Sequence, residues 1–105
     1  MKKPEECSSL EDIRTEIDAI DREIVELLGC RLGYVFAAAR FKPTEESIAA
    51  PDRVAAMLVD RQAWAASCGL SPTFVAELFS RITQWYIAAQ TGHWRQLRAE
   101  QGGRP

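Results

Sequence analysis

Apolar residues recur at Ile13, Ile17, Ile20, Ile24 and Leu27, spaced 4-3-4-3, and the spacing resumes at Tyr34 and Ala38 with Arg31 in the slot between. A heptad-like seam held over nearly four heptads predicts one long amphipathic helix. Its start falls at Ser8 or Ser9. There Ser8-Ser9-Leu10-Glu11 has the spacing of a capping box, and Asp12 adds negative charge near the positive helix end. Along the seam no proline intervenes before Pro43, and the lone glycines Gly29 and Gly33 weaken a helix without ending it, so its end is expected near Phe41. Lys42 to Ala50 reads as a loop. Pro51 suits the first turn of a second helix, Pro51 to Ser67, stopped by Cys68-Gly69. Ser71-Pro72 opens a third helix, running to about Glu100, with an apolar stripe of Val75, Leu78, Phe79, Ile82, Trp85, Tyr86 and Ala89. Residues 101–105 read as a flexible tail. No strand pattern competes. The expectation is an all-α chain of three helices, long, short and long, forming a single domain over residues 1–105 with about 8–100 ordered.

Helix length bears on assembly. A first helix of ~32 residues is roughly 48 Å long, whereas a compact chain of this size has a radius of gyration of ~13 Å and a diameter near ~33 Å. The helix must overhang its own globule and expose an isoleucine-rich seam. A second copy packed alongside covers that surface, and a two-fold dimer is the commonest arrangement. The monomeric alternative requires a break near Gly29 or Gly33.

Composition narrows the functional classes. Of 105 residues, 47% are hydrophobic and 27% charged, which fits a globular domain and neither wholesale disorder nor a membrane span. Thirteen Lys/Arg against fifteen Asp/Glu give a net charge of −2, so no basic field points to nucleic acid. The start lacks the apolar stretch of a secretory signal. Cys7, Cys30 and Cys68 are odd in number and lack CxxC spacing, which disfavours a disulfide framework or a zinc site and suits thiols in a reducing cytoplasm. With His93 alone, a metal cluster or a catalytic triad has little to rest on. Trp64, Trp85 and Trp94 suit core or interface positions, and Glu45-Glu46 reads as solvated loop charge.

Two polar side chains stand where apolar ones are due: Arg31 in the seam, and Gln90 one turn after Tyr86. A buried arginine is costly unless its charge and donors meet a partner. An internal salt bridge to Glu23, Glu26 or Asp60 is the simple explanation for Arg31. Arg14 at the seam margin, Lys42 where the first helix gives way to the loop, and Arg53 in the first turn of the second helix widen the picture. With Arg31 and Gln90 they make a set of donors suited to a small, multiply anionic ligand, because guanidinium groups bind carboxylates in bidentate fashion. Arg14 and Arg31 are seventeen residues apart, roughly 25 Å along a continuous helix. If both touch one ligand, Arg14 must come from a partner chain with the long helices antiparallel.

At these positions the sequence resembles the all-helical chorismate mutase family and, within it, the isochorismate pyruvate lyases that make salicylate for bacterial siderophores. The likeness runs from Met1 to about Arg98. It is most specific at Asp12-Ile13-Arg14, Ala39-Arg40-Phe41-Lys42, Ala50-Pro51-Asp52-Arg53-Val54-Ala55-Ala56-Met57 and Trp85-Tyr86-Ile87-Ala88-Ala89-Gln90. The resemblance implies that Arg14 is lent by the neighbouring subunit and that Arg31 clamps a carboxylate within the chain. By the same likeness Lys42 stands at the breaking ether bond, Gln90 faces the same oxygen region, and Arg53 helps enclose the pocket. Mutases of this fold usually carry an acid directly after the helix-2 arginine, holding a ring hydroxyl. Val54 stands there instead, and losing such a contact costs on the order of 1–3 kcal/mol. This favours lyase over dedicated mutase, with weak mutase activity retained.

The implied reaction is a pericyclic hydrogen transfer from the ring of isochorismate to its enolpyruvyl methylene as the ether bond breaks, giving salicylate and pyruvate. It calls for no cofactor or metal. The site supplies shape, together with positive charge where the ether oxygen becomes negative. Lys42 is the expected catalytic residue, in a loop bounded by Pro43 and Pro51 and expected to act as a lid that orders on ligand binding. Arg14, Arg31, Arg53 and Gln90 are the expected substrate-binding residues. Two alternatives stand beside this: a chorismate mutase converting chorismate to prephenate, and a non-catalytic helical dimer or adaptor. The adaptor gives no reason for Arg31 and Gln90.

Overall fold

A computed structural model describes residues 1–102. The described chain is helical, with no strand: α1 spans Leu10–Ala39, α2 Pro51–Ser67 and α3 Pro72–Gly102, with single 3-10 turns at Pro4–Glu6 and Glu46–Ile48. The expected all-α order of long, short and long helices holds.

The helix ends follow from local chemistry. Ser9 caps α1, its Oγ accepting the Asp12 N–H at 3.0 Å. Asp12 in turn accepts the Ser8 N–H and the Ser8 hydroxyl, each at 3.0 Å, and the Lys2 ammonium at 3.4 Å. The cap is therefore Ser9, and the acid that reaches back is Asp12 in place of Glu11, bonding Ser8, the residue before the cap. Bonds from Ser8 and the Lys2 charge hold the Asp12 carboxyl below its ordinary pKa. The helix runs through Gly29 and Gly33 and ends at Ala39, two residues before Phe41. Its last turn tightens into three-residue bonds, Phe41 N–H to Ala38 O at 3.0 Å and Lys42 N–H to Ala39 O at 3.1 Å.

Pro51 opens α2 as expected. The residue directly before it, Ala50, is the N-cap and takes a left-handed conformation, φ 40° and ψ 62°, unusual for a residue with a Cβ and for one preceding proline. The Cys68-Gly69 stop is a Schellman motif: Gly69 takes φ +74°, Leu70 N–H reaches Ala65 O at 2.9 Å, and Gly69 N–H reaches Ala66 O at 3.4 Å. Ser71 caps α3, its hydroxyl accepting the Phe74 N–H at 3.2 Å. Gln101 and Gly102, expected in the tail, continue α3. Gly103–Pro105 lie outside the described residues.

Contacts divide the chain into two units, Met1–Tyr34 and Val35 onward. In the first unit no residue is buried. Its seam of Ile13, Ile17, Ile20 and Ile24 is 41–50% exposed, and Leu27 is 67% exposed. In the second, α2 packs on α3 and the Glu46–Ile48 turn packs on α3. Its core is Ala39, Ile48, Met57, Ala65, Val75 and Tyr86, with Thr83 and Gln90 as buried polar members. Only Val75 and Tyr86 of the expected α3 stripe are buried. Phe79, Ile82 and Ala89 are half-buried, while Leu78 and Trp85 remain exposed.

Candidate active site

Arg14 and Arg31 both lie on α1 in the first unit. Arg14 is exposed and Arg31 half-buried. The stretch between them is unbroken helix, so their backbones stand roughly 25 Å apart along the axis. One chain therefore cannot bring both to one small ligand. Among the acids considered for Arg31, Glu26 pairs with Arg22 at 3.0 Å. Among the described residues neither Arg14 nor Arg53 has an ion pair within the chain.

Lys42, Arg53 and Gln90 lie in the second unit. Arg53 is exposed in the first turn of α2, three residues after the left-handed Ala50 that sets the direction in which the helix starts.

Gln90 is buried, 6% exposed, and its Nε2 donates to the Val35 carbonyl at 2.7 Å. One amide hydrogen is thus committed to holding α3 against the end of α1. Thr83, two turns earlier on α3, is buried with its hydroxyl unpartnered in the chain.

Lys42 is half-buried, and its ammonium donates to the Ser47 carbonyl at 3.2 Å. Ser47 is itself tied down, its hydroxyl donating to Thr44 O at 2.6 Å and its N–H reaching Thr44 Oγ1 at 3.3 Å. Three α3 side chains hold this loop from the other side. Trp94 Nε1–H donates to Lys42 O at 2.9 Å. Arg98 donates to Lys42 O at 3.3 Å and to Pro43 O at 3.2 Å. Arg95 pairs with Glu45, and that bond holds the Glu45 carboxyl below its ordinary pKa and pushes the Arg95 guanidinium up. The segment is therefore pinned to α3, and any lid motion must break these bonds.

Gln90, Trp94 and Arg98 follow one another at four-residue spacing, so they form one row on α3. The row grips the chain at Val35, Lys42 and Pro43, and His93 beside it stacks on Phe36 with ring centroids 4.6 Å apart. Sequence reasoning singles out Gln90 and Lys42 but passes over Trp94, Arg95 and Arg98, which hold the chain around Lys42. Glu45, expected to be solvated, is an ion-pair partner. The available signal is the four-residue step from Gln90 to Trp94 to Arg98. Trp64 and Trp85, expected in core or interface, are exposed in the chain, Trp64 lying under the Arg61 guanidinium at 4.7 Å.

Residues 13–91 match the family described as chorismate mutase type II. The chain is 55% identical over 98 residues to "Isochorismate pyruvate lyase" of Pseudomonas aeruginosa, covering 93% of this chain and 97% of that protein. It is 35% identical over 75 residues to "T-protein" of Haemophilus influenzae, covering 70% of this chain and 20% of that protein. The helix order, the extent of the family match and the near full-length similarity agree: the chain belongs to the type II chorismate mutase family.

Proposed function

We propose that this chain is an isochorismate pyruvate lyase, with weak chorismate mutase activity, working as a homodimer in the cytoplasm. The observation that carries the reading is the 55% identity to a protein of that name over nearly the whole of both chains. Val54, in place of the acid that would hold a ring hydroxyl in a mutase, points the same way. The three unpaired thiols suit a reducing compartment.

In this reading Arg31 of one chain and Arg14 of its partner bind the two carboxylates of the substrate. The roughly 25 Å between them along one helix supports a shared site, and the exposed isoleucine seam supports a partner chain. Arg53 and Gln90 help enclose and orient the ligand. The ring hydrogen passes to the methylene carbon while the carbon–oxygen ether bond breaks. The ring becomes aromatic, and the departing enolpyruvyl group becomes pyruvate. Charge builds on the ether oxygen, and the Lys42 ammonium, exchanging its Ser47 carbonyl for that oxygen, stabilises it. One domain comprising the whole chain carries these residues.

The membership in a mutase family supports chorismate-to-prephenate conversion as the second reading. Incubation with isochorismate and, separately, with chorismate tests both. Salicylate fluorescence from isochorismate is the expected result; prephenate formation outpacing salicylate formation would reverse the assignment.

A further inference from the structure

We infer that Trp94 and Arg98, aided by the Glu45–Arg95 pair, are positioning residues that fix the backbone of Lys42 so that its ammonium reaches the reacting oxygen. The inference rests on the catalytic role proposed for Lys42. All three α3 residues lie beyond residue 91, outside the stretch matched to the family.

The carbonyls of Lys42 and Pro43 fall just past the end of α1, where no further helical N–H follows to bond them. Trp94 and Arg98 supply the missing donors, the indole at 2.9 Å and the guanidinium at 3.3 and 3.2 Å. Arg98 also brings positive charge to a helix C-terminus, where it is favourable. Beyond Pro43, the Glu45–Arg95 pair fastens the next part of the loop to the same helix, and the Thr44–Ser47 bonds fix the carbonyl on which the Lys42 ammonium rests. A lysine side chain is long and flexible, so a defined position for its ammonium begins with a defined backbone. A misplacement of about 1 Å can cost roughly 100-fold in rate.

The test combines Trp94→Phe, which keeps an aromatic ring but removes the donor, with Arg98→Gln and Arg98→Lys. In steady-state turnover of isochorismate, Trp94→Phe and Arg98→Gln are expected to lower kcat about 10-fold with KM changed less than about 3-fold, and Arg98→Lys to recover part of the loss. In a Lys42→Ala background the same changes should have no further effect, because a group acting through Lys42 has nothing left to position. A merely structural role would lower kcat equally in both backgrounds, and that outcome overturns the inference. Hydrogen exchange at the Lys42, Ser47 and Ile48 amides gives a readout independent of substrate. Exchange at least about 10-fold faster in Trp94→Phe is expected, and unchanged protection removes the clamp. Lack of salicylate formation by the wild-type protein would instead defeat the proposed function and leave the exchange result to decide the clamp by itself.

Discussion

In the proposed reaction Lys42 carries the chemistry, and its neighbours explain why a single substitution should be costly. The ammonium already sits on a carbonyl oxygen, Ser47 O at 3.2 Å, so exchanging that acceptor for a developing oxyanion needs little movement. Lys42→Ala should lower kcat/KM by about 3–4 kcal/mol, the size of losing one preorganised donor. Near wild-type turnover in that variant rejects the role. Lys42 and Gln90 are legible in the sequence because a polar residue in an apolar seam or beside a proline-bounded loop stands out. Trp94, Arg95 and Arg98 are not, since side chains that bond backbone carbonyls leave no motif at the residues they grip. Glu45 misleads for a related reason: nothing local distinguishes a loop acid that meets an arginine fifty residues away from one that meets water.

Helix ends are readable where short-range chemistry sets them, as at Pro51, Gly69 and Ser71, and less so where a tertiary bond decides. The α1 terminus shows the difference: the tightened turn at Ala39 is followed by carbonyls capped from α3. The Glu45–Arg95 tether gives this corner a pH dependence. Its depressed carboxyl pKa means that pairing is complete above the unperturbed value of 4.5 and is lost as pH falls through the lower folded value. The Trp94 indole N–H resonance should therefore shift only below that value, and Glu45→Gln should abolish the step; a midpoint at or above 4.5 would contradict the tether. Along α1 itself, a Cβ placed at Gly29 or Gly33 meets no atom within 4 Å of the chain. Each glycine-to-alanine change should stabilise the helix by about 0.5–1 kcal/mol, read as a rise in Tm. A fall in Tm at either position would mean that another chain lies against it.

At the level of the whole molecule, the isoleucine seam and the separation of Arg14 from Arg31 both support the second copy that the proposed function calls for. The seam residues are already about half covered, so completing their burial contributes on the order of 1 kcal/mol each. Ile17→Glu and Ile20→Glu should accordingly dissociate the protein in sedimentation and remove activity together. The arginines allow a sharper test. An Arg14→Ala chain and an Arg31→Ala chain should each be nearly inactive alone. If each site joins Arg31 of one chain to Arg14 of its partner, a mixed dimer regains one complete site and has one site lacking both arginines. Random reassortment makes about half the dimers mixed, so mixing after reversible unfolding should restore about a quarter of wild-type activity. A mixture as inactive as its components would show that no site joins Arg31 of one chain to Arg14 of its partner, and the antiparallel shared site would then have to be abandoned.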